Sequence, residues 1–266
     1  MKTIKKQLKR GLAAAVPASI LLMTIVGSPQ AEAQTPPKVK NVVIVHGAFA
    51  DGSGWRGVYD ILVAKGYHVS IVQNPLTSME ADVAAVNVIL AKQDGPVILV
   101  GHSYGGAVIT EAGIDPKVVG LVYVAAFQPE VGESALDLAK TEAPAPENGI
   151  LAPDENGFFF YSKEKFHIGF AAGLSKEESD FMYDSQGPVS LAAFNAKMTH
   201  AAWTTKPSWG IVATEDKSIQ PDIERFVYKR SKAIVTEIKA SHVVYMTHPK
   251  EVAEVIVEAS LKSPVK

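Results

Sequence analysis

Residues 96–112 read Pro96-Val97-Ile98-Leu99-Val100-Gly101-His102-Ser103-Tyr104-Gly105-Gly106-Ala107-Val108-Ile109-Thr110-Glu111-Ala112. The first part is an unbroken apolar, β-branched run entered after a proline, as expected of a strand buried on both faces. From Ala107 onward the chain begins a helix. The pattern Gly101-His102-Ser103-Tyr104-Gly105 therefore stands at a strand-to-helix turn, the context in which G-x-S-x-G marks a nucleophile elbow. The requirement is steric. A serine on so sharp a turn has strained backbone angles, and only small neighbours such as Gly101 and Gly105 let strand and helix approach. The competing reading is a serine N-cap with glycines for close packing. The flanking pattern and the further glycine at 106 favour the elbow.

Working outward, short apolar runs recur at 42–46, 68–73, 97–102, 118–125, 209–214 and 233–238, flanked by Gly, Pro, Asp or Asn. Stretches with helical spacing lie between and after them, at 54–65, 79–92, 105–114, 221–230 and 249–261. In the last, Val252, Val255, Ile256 and Ala259 form one stripe, and Pro249 suits the first helical turn. This alternation predicts an α/β fold with a mostly parallel sheet of about six strands and helices on both faces. Residues 128–206 break the rhythm. They open with loop chemistry, carry Phe158-Phe159-Phe160-Tyr161, and show helical patterns near 175–184 and 189–198 but no convincing strand. Such an insertion between two sheet strands reads as a helical cap on a single domain spanning 34–266.

A serine hydroxyl needs an adjacent base, and the base needs a carboxylate to orient it. Of the seven histidines, His46 and His102 end strands upstream of or next to the serine. His68 starts a strand, His167 and His200 belong to the cap, and His248 introduces the helix at Pro249. His242, in a short loop after the last strand, is the candidate base. The strand at 209–214 ends in Glu215-Asp216, of which Asp216 is favoured and Glu215 is the alternative. Oxyanion donors are expected from the Tyr104 N–H and from the loop Gly47-Ala48-Phe49, with Ala48 preferred and Phe49 second. Phe49, Phe127, Trp203 and the 158–161 cluster are candidates to line an apolar pocket, or simply to pack the cap on the core.

His46-Gly47-Ala48, Gly101-His102-Ser103-Tyr104-Gly105-Gly106, Thr214-Glu215-Asp216 and Ser241-His242-Val243 together resemble the α/β-hydrolase superfamily. The similarity is to small bacterial esterase-like members and the plant methylesterase/hydroxynitrile lyase group, and it spans nearly all of 40–262. It implies an α/β-hydrolase fold with Ser103 as nucleophile, His242 as base, Asp216 as orienting acid, and the Ala48 and Tyr104 amides as oxyanion hole. The lyases of that group typically carry threonine where Gly47 stands and lysine where Val243 stands. Both departures favour hydrolysis over cyanohydrin cleavage, and the aromatic pocket candidates suggest a small, apolar carboxylic ester cleaved through an acyl-enzyme. A lactonase, a C–C bond hydrolase using the same three residues, and a non-catalytic ligand-binding member are the alternatives. An aspartate in place of Ser103 would be needed for a dehalogenase.

The 266 residues contain no cysteine, 47% apolar and 20% charged side chains. This excludes a disulfide framework, thiolate metal sites and a catalytic thiol, and it is too apolar for disorder. No helix pattern pairs His and Glu as metal ligands and no Gly-rich loop carries a phosphate-binding lysine, so no cofactor and no metal is expected. A formal charge of −2 gives no reason to expect nucleic acid. The N-terminus reads as an address: Lys2, Lys5, Lys6, Lys9 and Arg10 precede an apolar run that ends at Gly27, and Ala31-Glu32-Ala33 has the small-x-small form of a cleavage site. From Leu12 to Gly27 that run would make a helix of roughly 24 Å, short of a ~30 Å hydrocarbon core, and Pro17 interrupts it. Residues 1–33 are thus expected to be a cleaved signal peptide, giving a periplasmic or secreted protein without stable membrane insertion. Expression of the full chain in a host with a secretory pathway should yield a mature N-terminus at Gln34. N-terminal sequencing checks this, and recovery of the intact Met1 end alone would refute it.

Overall fold

The computed structural model describes residues 39–265, so the expected leader and its cleavage site lie outside the described residues. The chain runs through β1 (Asn41–Val45), α1 (Arg56–Ala64), β2 (His68–Val72), α2 (Met79–Ala91), β3 (Val97–Ser103), α3 (Gly105–Ala112) and β4 (Val118–Ala126). The cap follows as α4 (Ala135–Ala139), β5 (Phe158–Phe159), α5 (Lys163–Gly169), α6 (Lys176–Asp184), β6 (Val189–Ser190) and α7 (Leu191–Phe194). The chain then returns through β7 (Ser208–Ala213), α8 (Pro221–Ser231), β8 (Ile234–Ile238), α9 (Val244–Thr247) and α10 (Pro249–Lys262).

The main sheet is ordered β2-β1-β3-β4-β7-β8, and every neighbouring pair is parallel. The step from β1 to β2 runs one way along the sheet, and the later crossovers run the other way. Right-handed connections therefore place α1 on one face and α2, α3 and α8 on the opposite one. In keeping with this, α1 packs against α10 and α2 against α3. Expected strands and observed strands agree to within a residue or two, except in burial. β1 and β3 are buried along their whole length, whereas β2 and β8 are largely exposed or half-buried because they form the two edges.

Three expectations need correction. The helix expected from 54 starts later, because Asp51 caps a short 3₁₀ turn over Gly52–Trp55 before α1 begins. The cap does contain strands: β5 and β6 form a two-residue antiparallel pair, with Phe158 opposite Ser190 and Phe159 opposite Val189. Pairs this short lie below the length at which a period of two can be read. α4 and α5 also escaped notice, and the helix expected over 189–198 contracts to the single turn of α7. Among the described residues no helix is long and apolar enough to cross a membrane.

The elbow depends on absent side chains. A Cβ on Gly101 would sit 2.5 Å from the Gly105 carbonyl oxygen, and one on Gly105 would sit 2.6 Å from that of Val45. Both obstacles are backbone, so neither can swing aside. Gly105→Ala should therefore destabilise the protein by about 3 kcal/mol, near the upper end of overpacking costs. Gly95→Ala, whose Cβ would meet only Asn41 Nδ2 at 3.6 Å, should change stability by less than about 0.5 kcal/mol. Urea denaturation of the two variants checks the contrast, and equal losses would refute it.

Candidate active site

Ser103 ends β3 with φ at 53°, in the left-handed region that a non-glycine residue enters only under constraint. Its neighbours hold it there. β3 and β4 shift register between His102 and Ser103, so that Ala126 rather than Ala125 faces the serine, and Ala125 itself has φ 43°. The Phe127 N–H donates to the Ser103 carbonyl at 3.2 Å. Tyr104 and α3 follow at once, bringing the helix N-terminus beneath the serine.

His242 lies between β8 and α9, with its ring 1% exposed. Its Nδ1 is 2.5 Å from Asp216 Oδ2. Asp216 is held in turn: its Oδ1 accepts the N–H of Ser218 at 2.7 Å and that of Ile219 at 3.0 Å. Glu215 points away, exposed, with Lys239 Nζ 3.6 Å from its carboxylate. Of the two adjacent acids, Asp216 meets the imidazole. Ser103 and His242 line one cavity of about 610 Å³, together with Ala48, Phe49, Tyr104 and Phe127.

The cavity wall is aromatic and aliphatic. Phe170 from the end of α5 sets its ring edge against His242 at 4.9 Å, and Phe49 packs on Phe170 and Tyr161. Phe194 of α7 touches Tyr104, Phe127 and Phe159. The charged lining residues, Lys140 and Glu142, are exposed on the rim. Trp203, expected in the lining, is elsewhere: its indole N–H donates to the Pro129 carbonyl at 2.8 Å, and its ring stacks under the Arg230 guanidinium. Of the 158–161 cluster only Phe159 reaches the cavity directly. The Phe49 N–H is engaged by the Gly187 carbonyl at 2.8 Å, which removes it as an oxyanion donor. Among the described residues neither the Ala48 nor the Tyr104 N–H donates to another group of the protein.

Three further buried side chains, His102, His46 and Asp82, hold the site in shape. His102, fully buried, lies 4.6 Å from the His242 ring, and its Nε2 is 3.0 Å from the His242 carbonyl. Burial holds its imidazole well below the usual histidine range, so the ring is neutral and Nε2–H is the donor. His46 Nδ1 bonds to the Gly47 carbonyl while its Nε2 accepts the Asn74 N–H, and burial again lowers its basicity. Asp82 of α2 accepts the Tyr104 hydroxyl at 2.7 Å and the Leu76 N–H at 2.7 Å. Burial raises its carboxyl above the ordinary range, and burial first, then the Asp82 charge, pushes the Tyr104 phenol up. No local motif announces the His46–Asn74, His102–His242 and Asp82–Tyr104 contacts, because those partners are distant in sequence.

Residues 42–255 match the alpha/beta hydrolase family. The chain belongs to that family. It is 33% identical over 164 residues to a carbendazim hydrolyzing esterase of Nocardioides sp. (strain SG-4G), a match covering 56% of this chain and 66% of that one. It is 27% identical over 260 residues to a pyrethroid hydrolase of Sphingobium wenxiniae, covering 83% and 87%. The crystal structure of a pyrethroid hydrolase from Sphingobium faniae shares the fold with a TM-score of 0.72 at 24% identity, over 84% of this chain and 97% of that one.

Tyr104→Phe should cost about 2 kcal/mol, since it leaves a buried carboxylate oxygen of Asp82 without its donor. Chemical denaturation checks this, and a neutral effect would refute the Asp82–Tyr104 tie.

Proposed function

We propose that the protein is a serine hydrolase of neutral, apolar carboxylic esters. The observation that carries this reading is the buried Asp216–His242 hydrogen bond in the wall of the cavity that also holds the strained Ser103. Bound through Nδ1, His242 is left with Nε2 as its free basic nitrogen. It takes the proton from Ser103 Oγ as that oxygen attacks the ester carbonyl. The negative charge that develops on the carbonyl oxygen is met by the Ala48 and Tyr104 N–H groups. Collapse of the tetrahedral intermediate breaks the C–O bond, and the imidazolium returns its proton to the departing alcohol. Water then attacks the acyl-enzyme by the same route, releasing the acid and restoring Ser103.

Two features of this chain favour hydrolysis over cyanohydrin cleavage. A Cβ at Gly47 would lie 2.7 Å from Ser103 Cβ, so a threonine does not fit there. The residue after His242 is the fully buried Val243, which offers no proton. The aromatic lining and the absence of charge from the cavity's interior suit an uncharged substrate, and about 610 Å³ is within the usual size of small-molecule sites. The names of the relatives agree with ester cleavage. We also propose that the enzyme works outside the cytoplasm once residues 1–33 are removed.

Ser103→Ala and His242→Ala should each lower kcat for p-nitrophenyl ester hydrolysis by about 10⁴-fold or more, with unchanged circular dichroism. Asp216→Asn should fall by about 10⁴-fold, while Glu215→Gln stays close to wild type. A fluorophosphonate probe should label Ser103 in the native protein. Turnover surviving in Ser103→Ala, or labelling at another residue, would overturn the reading.

A further inference from the structure

Behind Asp216 lies a second carboxyl group that the mechanism does not use. Glu224, on the buried side of α8, is wholly inaccessible. Its Oε2 accepts the Ala213 N–H at 3.0 Å, where β7 turns into the Asp216 loop. Its Oε1 is buried with no partner that can donate to it, and its carboxyl lies within hydrogen-bonding reach of that of Asp216.

Among the described residues no lysine or arginine forms an ion pair with either carboxyl group. Arg225, the adjacent residue, turns its guanidinium outward to Glu237 and Asp222. From α8, the Tyr228 hydroxyl is engaged with the backbone N–H and carbonyl of Ala126. From β4, the Tyr123 hydroxyl is bound to Thr110. From the β8–α9 loop, His242 occupies Oδ2 of Asp216. Two adjoining buried carboxylates cannot both keep a negative charge without such help. The hydrogen bonds decide which gives way. Asp216 accepts from three donors, the His242 ring and the Ser218 and Ile219 amides. Glu224 accepts from one. The charge settles on Asp216, and a proton on Glu224 Oε1 gives that oxygen the acceptor it lacks.

We propose that Glu224 is a positioning residue, a neutral carboxylic acid whose O–H donates to the Asp216 carboxylate from behind and fixes its orientation and charge toward His242. The proposal rests on the hydrolase reading for its catalytic meaning, but not for its geometry. The direction of the carboxyl's acidity agrees: burial first, then the charge of Asp216, raises Glu224 well above the usual carboxylate range. By drawing charge from Asp216, the Glu224 hydroxyl moderates how firmly the imidazole retains a proton, and so how far down in pH it serves as a base.

Isotope-edited infrared spectroscopy of the mature protein at neutral pH should show a protonated-carboxyl C=O band. That band should vanish in Glu224→Gln, persist in Ser103→Ala and shift in Asp216→Asn. No band, or a band unmoved in Asp216→Asn, overturns the proposal. In kinetics, Glu224→Gln supplies an N–H in place of the O–H and should leave the acid limb of the kcat/KM profile where it is. Glu224→Leu should move that limb to higher pH by about one unit. A limb moving to lower pH in Glu224→Gln would mean that the wild-type group is ionised, and overturns the proposal. If Glu224→Leu does not fold, the Gln variant and the infrared band decide alone. Failure of wild type to cleave esters would refute the hydrolase reading, whereas the band would still decide the state of Glu224.

Discussion

The elbow at Ser103 holds a backbone conformation of a kind that costs about 1–3 kcal/mol and persists only where its surroundings over-determine it. The surroundings here are β1 and β3, each buried along its whole length, with α3 drawn against them so closely that neither Gly101 nor Gly105 could bear a methyl group. The same contact places the Tyr104 amide beside the serine and brings the loop after β1 to the opposite side of the cavity. Loosening it would release the strain and separate Ser103 from the Ala48 and Tyr104 amides in one movement.

Around that elbow the charge arrangement is sparse. His46 and His102 are neutral because burial disfavours their ionised forms and each places its ring nitrogens to suit a single tautomer. Asp216 is then the acid that faces the imidazole, and its charge is shared among backbone amides before the ring is counted. A buried carboxylate without such donors would hold an imidazolium more tightly and slow the return of its proton. Distributing the charge over several fixed donors holds the ring in orientation without trapping its proton.

Much of this was legible in the chain. Alternating buried runs and helical stripes define the parallel sheet, and the serine between glycines marks its own turn. Asp216 and His242 could be picked out because they follow the two strands after the cap. What escaped were features whose causes lie across the fold. Trp203 resembles its fellow aromatics in sequence, yet its indole finds a carbonyl at Pro129 and a guanidinium at Arg230 rather than the cavity. Phe170 reaches His242 only because the end of α5 is carried over it. The edge position of β2 and β8, and with it their exposure, follows from strand order, which apolar runs do not encode. Glu224 looks like any acid in the first turn of a helix, and only the facing Asp216 gives it meaning.

The cap and the site share hydrogen bonds in a way that makes them one object. Three loops beside the strained serine, those after β1, β7 and β8, are each tied to a cap backbone carbonyl. The loop after β1 donates through the Phe49 N–H to Gly187, that after β7 through Ser218 Oγ to Gly169, and that after β8 through Ser241 Oγ to Ala172. Asn148 of the cap reaches back to the carbonyls of Lys217 and Ser218, beside Asp216. Substitutions in the cap therefore change more than the shape of the apolar wall. A cap residue that shifts Gly169 or Ala172 displaces the loops of Asp216 and His242 with it, and about 1 Å of such displacement is enough to cost roughly 100-fold in rate. The sheet supplies the strained serine, but the alignment of its two partners is completed by the insertion that covers them.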